Sequence, residues 1–146
     1  MLAILQFIAT FSTIVFAGAA IYVSLVEHPA RMSCSTTLAA TVWAPSYKRA
    51  TLMQAPLAII GALSGTLAWW LGSGLAWLAA AVLIFLVVPF SLTVIMATNQ
   101  QLLAPDRQLE SAETRALLIQ WGHLHAVRTV LGVAASVLML LQLVRS

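Results

Sequence analysis

Four long apolar runs, Leu2–Val26, Ala55–Leu71, Leu75–Thr98 and about Ala116–Val144, leave this chain few ways to fold. A helix needs about 20 such residues, within a range of roughly 17 to 25, to cross ~30 Å of hydrocarbon. In lipid every backbone N–H and C=O must be paired inside the protein, so each run is read as a spanning helix. Composition agrees: 62% of the residues are hydrophobic and 8% charged, too little polar surface for a water-soluble globule. The bilayer is therefore the first partner. The net charge of +3 arises from 7 Lys+Arg against 4 Asp+Glu without a basic cluster, so no nucleic-acid partner is expected. Cys34 is the single cysteine, which excludes an intramolecular disulfide and a cysteine-based zinc site; it is read as a small packing residue.

The first run lacks a Lys or Arg ahead of it and is longer than the core of a secretory signal, so it is kept as a spanning helix. Gly72-Ser73-Gly74 is short enough to force an antiparallel hairpin between the second and third runs, with glycine closing one helix. Residues 27–54 and 99–115 are left as the two longer loops, and no internal repeat is evident. The fold expected is all-α: one polytopic domain, an antiparallel four-transmembrane-helix bundle in up-down-up-down order. Arg31, Lys48, Arg49, Arg107 and Arg115 fall in the two loops, against Arg145 alone on the other side. That bias predicts cytoplasmic loops, both termini outside, and residence in the cell (inner) membrane.

The costly residues cluster in Trp121-Gly-His-Leu-His-Ala-Val-Arg128. An Arg inside a spanning helix costs ~2.5–3.5 kcal/mol on insertion scales, which makes it a functional-site hypothesis by default. Counting back ~20 residues from Val144 at ~1.5 Å each puts the cytoplasmic boundary near His125 and Arg128 a turn inside. The same count brings Glu27, His28, Gln54 and Asn99 to that level. Trp121, His125, Arg128 and Gly132 share a face at i, i+4, i+7 and i+11, whereas His123 points elsewhere and is expected to be solvated. A pocket at the cytoplasmic interface is thus expected, lined by Glu27, His28, Gln54, Asn99, Trp121, His125 and Arg128.

Val26-Glu-His-Pro-Ala-Arg31, Trp43 through Tyr47-Lys-Arg49, Met96-Ala-Thr-Asn-Gln-Gln-Leu-Leu103 and Trp121-Gly-His-Leu-His-Ala-Val-Arg-Thr129 together resemble the anthrone-oxygenase-like family of small four-helix membrane proteins. The resemblance covers nearly the whole chain. It implies the four-helix fold and, from members with an assigned role, oxidation of anthrones, three-ring phenolic ketones, to anthraquinones by dioxygen. Such a substrate has an acidic C–H flanked by aromatic rings, and a neutral imidazole is a natural base for it. On this reading His125 removes the proton, Arg128 or the Asn99 amide stabilises the charge on the ketone oxygen, and Trp121, Gln54 and His28 contact the substrate. Glu27 either orients His125 or pairs with Arg128. No cofactor is required.

Each assignment has a plainer counterpart. Glu27 with Arg128 reads equally as a buried ion pair that sets helix register. His28, before Pro29 at a helix end, reads as an exposed interfacial residue. Trp43 and Trp121 read as an aromatic belt, with Trp69, Trp70 and Trp77 on the other side, and Gln54 and Asn99 as interhelical hydrogen bonds. A metal-dependent oxidoreductase would use Glu27, His28 and His125, with His123 diverging from His125; a haem between His28 and His125 is a remoter version. A different class altogether is a non-catalytic bundle that holds a lipid, an aromatic or a quinone-like molecule, forms a homo-oligomer, or docks in a larger membrane complex. Gly61, Ser64, Gly65 and Ala68 would give such a partner a close helix approach, unless that approach lies within the bundle.

Overall fold

The computed structural model describes residues 1–145, and these form four helices long and apolar enough to cross a membrane: α1 (Leu2–Met32), α2 (Thr36–Ser73), α3 (Leu75–Leu102) and α4 (Ala112–Arg145). Each helix packs on its two sequence neighbours around a square, with α1 against α4 closing it. The chain is an all-α, multi-pass membrane bundle. Phe7, Phe11, Leu63, Leu67 and Leu86 point outward, where lipid replaces a packed neighbour.

All four helices are longer at the loop end than the apolar runs. The supposed loop 27–54 is almost entirely helical: α1 continues to Met32, only residues 33–35 intervene, and the α2 helix begins at Thr36 with Ser35 accepting from the Leu38 N–H at 3.3 Å. Pro45, Lys48, Arg49 and Gln54 dilute the hydropathy there without breaking the helix. The helix from Thr36 to Ala68 has 33 residues, about 50 Å at ~1.5 Å per residue, so it outruns the hydrocarbon by some 20 Å. The loop 99–115 shrinks likewise to residues 103–111. Arg115 donates to the Met32 and Cys34 carbonyls, holding the α1–α2 turn against α4. Cys34 is exposed at that turn and does not pack in the core.

The hairpin after α2 is as expected, and glycine is required: Gly72 and Gly74 have φ of 97° and 91°. The small face of α2 is used inside the bundle. A Cβ on Gly61 would lie 2.6 Å from Thr13 Oγ1, and one on Gly65 3.1 Å from both Ala81 and Met139.

The core is built in three layers. At the termini end Ala9, Ala68, Trp77, Ala80 and Met139 pack together; the middle holds Phe16, Ala58, Ala62, Ile84, Val87 and Ala135; the loop end holds Trp43, Ile95, Leu117, Leu118 and Trp121. Trp43, Trp77 and Trp121 are thus core residues and not belt anchors, whereas Trp70 does face outward. The helical extensions explain this. They continue the bundle beyond the hydrocarbon and supply α2 with partners for Trp43.

Two π turns position the site. One spans Val23–Glu27 in α1, just before Pro29; the other spans Ser91–Ile95 in α3, just after Pro89. Proline cannot donate to the carbonyl four residues back, which for Pro29 is Leu25 inside the first π turn, and the wider turn absorbs the mismatch there. Ser91 and Thr93 return hydroxyl bonds to the Val87 and Pro89 carbonyls, both at 2.7 Å.

Candidate functional site

The residues expected in one pocket separate into two adjacent groups. The first lies toward the loops. There Glu27 accepts from Arg31 and Ser46, and Arg31 also reaches Ser46 Oγ at 3.2 Å. Glu27 therefore neither orients His125 nor pairs with Arg128. Its ion pair is local, with the cation one turn along the same helix, the spacing at which helical side chains meet.

His28 is buried and not an exposed interfacial residue. Its ring enters a notch at Gly122, where a Cβ would lie 2.6 Å from His28 Nε2, and packs 5.2 Å from the Trp121 ring. Arg31 Nη1 lies 3.3 Å from His28 Nδ1. A guanidinium only donates, so Nδ1 accepts and carries no proton in this arrangement. His123 is exposed, in agreement with its place off the polar face.

His125 is buried against Trp121, ring centroids 5.0 Å apart. Its Nδ1 is 3.1 Å from Ser24 Oγ, which is 2.8 Å from Thr129 Oγ1, which in turn is 3.2 Å from the Ala20 carbonyl. A chain that ends on a carbonyl has its direction set from that end. Thr129 donates to Ala20, Ser24 to Thr129, and His125 Nδ1–H to Ser24, which leaves the lone pair on Nε2. Ser24 was invisible as a site residue because its polarity is unremarkable in a spanning run.

The second group surrounds a cavity of about 110 Å³ between the middle and loop-end core layers. Gln54 and Asn99 come to it from α2 and α3, Arg128 from α4, Phe16 from α1 and Tyr47 from the helical extension of α2. Neither His125 nor Trp121 lines it. His125 is three residues from Arg128, about 60° around the helix, and that rotation is enough to turn it toward α1. The cavity is otherwise apolar, with Ala58, Val87 and Ile95 in its walls, and its lining includes exposed Thr51 and Leu92 on α2 and α3. It thus reaches the outer face of the bundle between those helices.

Arg128 donates from Nη2 to Gln54 Oε1 at 3.1 Å, and its guanidinium carbon lies 5.7 Å from the Phe16 ring centre. Three buried polar atoms here have no protein partner: Arg128 Nε, Gln54 Nε2 and Asn99 Oδ1. Leaving such a group unpaired costs ~1–3 kcal/mol, so two donors and one acceptor around one cavity mark a place shaped for a ligand with both an acceptor and a donor atom. As for metal ligation, no cluster of three His, Cys, Asp or Glu side chains suited to a metal ion occurs among the described residues. Glu27 and His28 are engaged by Arg31, and His125 Nδ1 by Ser24.

Fold and site together define a four-helix membrane protein with a guanidinium-lined cavity in its loop-side half. The family model described as anthrone oxygenase matches residues 43–138, and the chain belongs to that family. The match takes in Trp43, Tyr47, Gln54, Asn99 and Arg128, while Phe16, Ser24, Glu27 and His28 lie outside it. A curated relative, anthrone oxygenase tpcL of Aspergillus fumigatus, is 40% identical over 77 residues, or 51% of this chain and 48% of the relative. The matched region is thus about half of that relative's length. No solved structure matches the chain.

Proposed function

We propose that this protein is an oxygenase that takes a flat phenolic ketone of the anthrone type from the bilayer and oxidises its ring methylene to a carbonyl with dioxygen. The observation that carries the reading is Arg128, a guanidinium in the wall of an apolar cavity with a single hydrogen bond and an unpaired N–H. Family membership supplies the reaction class. The substrate ketone oxygen is placed at Arg128 and the Gln54 Nε2 donor, a phenolic hydroxyl of the substrate at the Asn99 Oδ1 acceptor, and its rings lie among Phe16, Ile95 and the other apolar walls. Loss of a methylene proton moves negative charge onto that oxygen, where preorganised donors in a site sheltered from water stabilise it most. The electron-rich enolate then reduces dioxygen without metal or flavin. In balance, one methylene and one O2 give one carbonyl and one water.

Residues of the first group act behind the wall. The His28–Trp121–His125 stack and the Ser24–Thr129 relay hold α1 against α4 and so fix the angle at which Arg128 enters the cavity. Access runs from the lipid past Thr51 and Leu92, which suits a substrate that dissolves in the membrane. The loops are placed in the cytoplasm of a cell with both termini outside, in keeping with Arg31, Lys48, Arg49, Arg107 and Arg115 at that end. The test is oxygen uptake by the purified protein in lipid nanodiscs supplied with anthrone. Stoichiometric anthraquinone formation above the spontaneous rate is expected. Tight anthraquinone binding without uptake would make the protein a carrier instead.

A further inference from the structure

Oxidation of a methylene requires a group that accepts its protons, and the cavity offers little choice. Among its lining residues only Arg128 and Tyr47 are ionisable; the others are apolar, amide or aliphatic hydroxyl. A guanidinium has no lone pair to offer as a base. Both buried histidines lie outside the lining. Tyr47 is therefore left, and its setting fits the task. Its ring stacks on Trp43 at 5.1 Å with an interplanar angle of 4°, and Trp43 is itself buried and edge-on to Trp121 at 5.8 Å. The ring is thus held by the loop-end core while its face toward the cavity stays open. Its hydroxyl makes no hydrogen bond among the described residues; the side-chain bond at this residue runs from Thr51 Oγ1 to its backbone carbonyl at 2.9 Å. Arg128 lines the same cavity.

We propose that Tyr47 is the proton-transfer residue of the reaction, a role that rests on the oxygenase reading for its substrate. In the first step the Tyr47 phenolate oxygen takes a methylene proton, and the C–H electron pair passes into the ring system as an enolate whose oxygen Arg128 and the Gln54 amide N–H hold. The enol form of such a ketone is itself a phenol, so the enolate formed is the same kind of anion as the phenolate it replaces. One negative charge passes from Tyr47 to substrate and stays beside Arg128, so no unpaired charge appears in an apolar cavity. The enolate carbon then bonds to dioxygen, and Tyr47 gives its proton to the resulting peroxide anion. In the last step the phenolate takes the second proton from the same carbon, the O–O bond breaks, the carbonyl forms, and hydroxide leaves with the Tyr47 proton as water. Tyr47 returns to its starting state.

The test separates proton transfer from oxygen chemistry. Anthrone deuterated at the methylene is incubated with the protein in nanodiscs under argon, and loss of deuterium to water is followed by NMR. The wild-type chain is expected to accelerate exchange, and Tyr47→Phe to slow it by about 100-fold or more, the usual span for a lost acid–base group. Calorimetric affinity of Tyr47→Phe for anthraquinone should be unchanged, because the removed hydroxyl has no partner and the stack on Trp43 remains. Exchange by Tyr47→Phe at the wild-type rate would overturn the proposal, as would a parallel loss of affinity, which would make Tyr47 a binding residue. Oxygen uptake by the wild type with no accelerated exchange would overturn it while sparing the oxygenase reading. Accelerated exchange that needs Tyr47, with no oxygen uptake in air, would uphold the proton transfer and sink that reading alone.

Discussion

Replacing Arg128 with Met should separate function from stability. Arg128 contributes a charge-assisted hydrogen bond to Gln54 at 3.1 Å and a cation–π contact to Phe16 at 5.7 Å. Such a bond is worth ~1.5–3 kcal/mol and such a contact ~0.5–2 kcal/mol. Against these stands the cost of a guanidinium in a spanning helix, ~2.5–3.5 kcal/mol, which Met removes. The terms nearly cancel, so unfolding in mixed bicelles should shift by no more than about 1–2 kcal/mol in either direction. Catalysis has no such offset. Loss of one preorganised donor to a developing oxyanion lowers turnover ~100- to 1,000-fold, equivalent to ~2.7–4 kcal/mol. Oxygen-electrode rates with anthrone, measured on the same preparation as the unfolding curves, test both halves. Uptake near the wild-type rate would refute the role given to the cavity, and a loss of several kcal/mol of stability would show Arg128 to be a structural element.

Other changes probe the supports. Gly122→Ala brings a methyl within 2.6 Å of the His28 ring, which Trp121 and Arg31 hemmed in on other sides cannot easily yield; unfolding measurements should show a loss of ~1–3 kcal/mol, as for overpacked cores. Asn99→Leu removes an unpaired buried acceptor, so stability should hold or rise while calorimetry shows weaker binding of a hydroxylated anthraquinone but not of anthraquinone itself. Ser24→Ala cuts the relay between His125 and Thr129 and should cost ~1–3 kcal/mol of stability through the polar partners it strands, with anthraquinone affinity in the properly folded fraction preserved. Exhaustive dialysis against EDTA should leave anthrone-dependent uptake unchanged; a loss restored by one added metal would contradict the metal-free reaction.

Hydropathy exposes the four helices and their order because lipid enforces one solution for each apolar run. It misses the end of α1 and the first half of α2, where length outside the bilayer is sustained by tertiary contacts such as Trp43 with Leu118 and Trp121. Tyr47 lay in a presumed loop, so the cavity residue with the most chemical potential was hidden. Depth counting places Gln54, Asn99 and Arg128 at one level, and these do meet, since depth in a bundle follows from rise per residue alone. Azimuth is harder to read. The shift of ~60° between Arg128 and His125 sends them to different neighbours, and the π turn at Val23–Glu27 changes which α1 residues face inward. The partner of Glu27 was within reach of the sequence, because Arg31 stands four residues on in the same helix.

The central claim is that the Arg128 cavity is where the aromatic ketone binds. A structure of the protein in lipid nanodiscs saturated with anthraquinone addresses it directly. One carbonyl oxygen should lie within hydrogen-bond distance of Arg128 and the Gln54 amide nitrogen, with the rings beside Tyr47 and Phe16. Anthraquinone seated against Trp121 and His125 instead, with the cavity empty of it, would contradict the account.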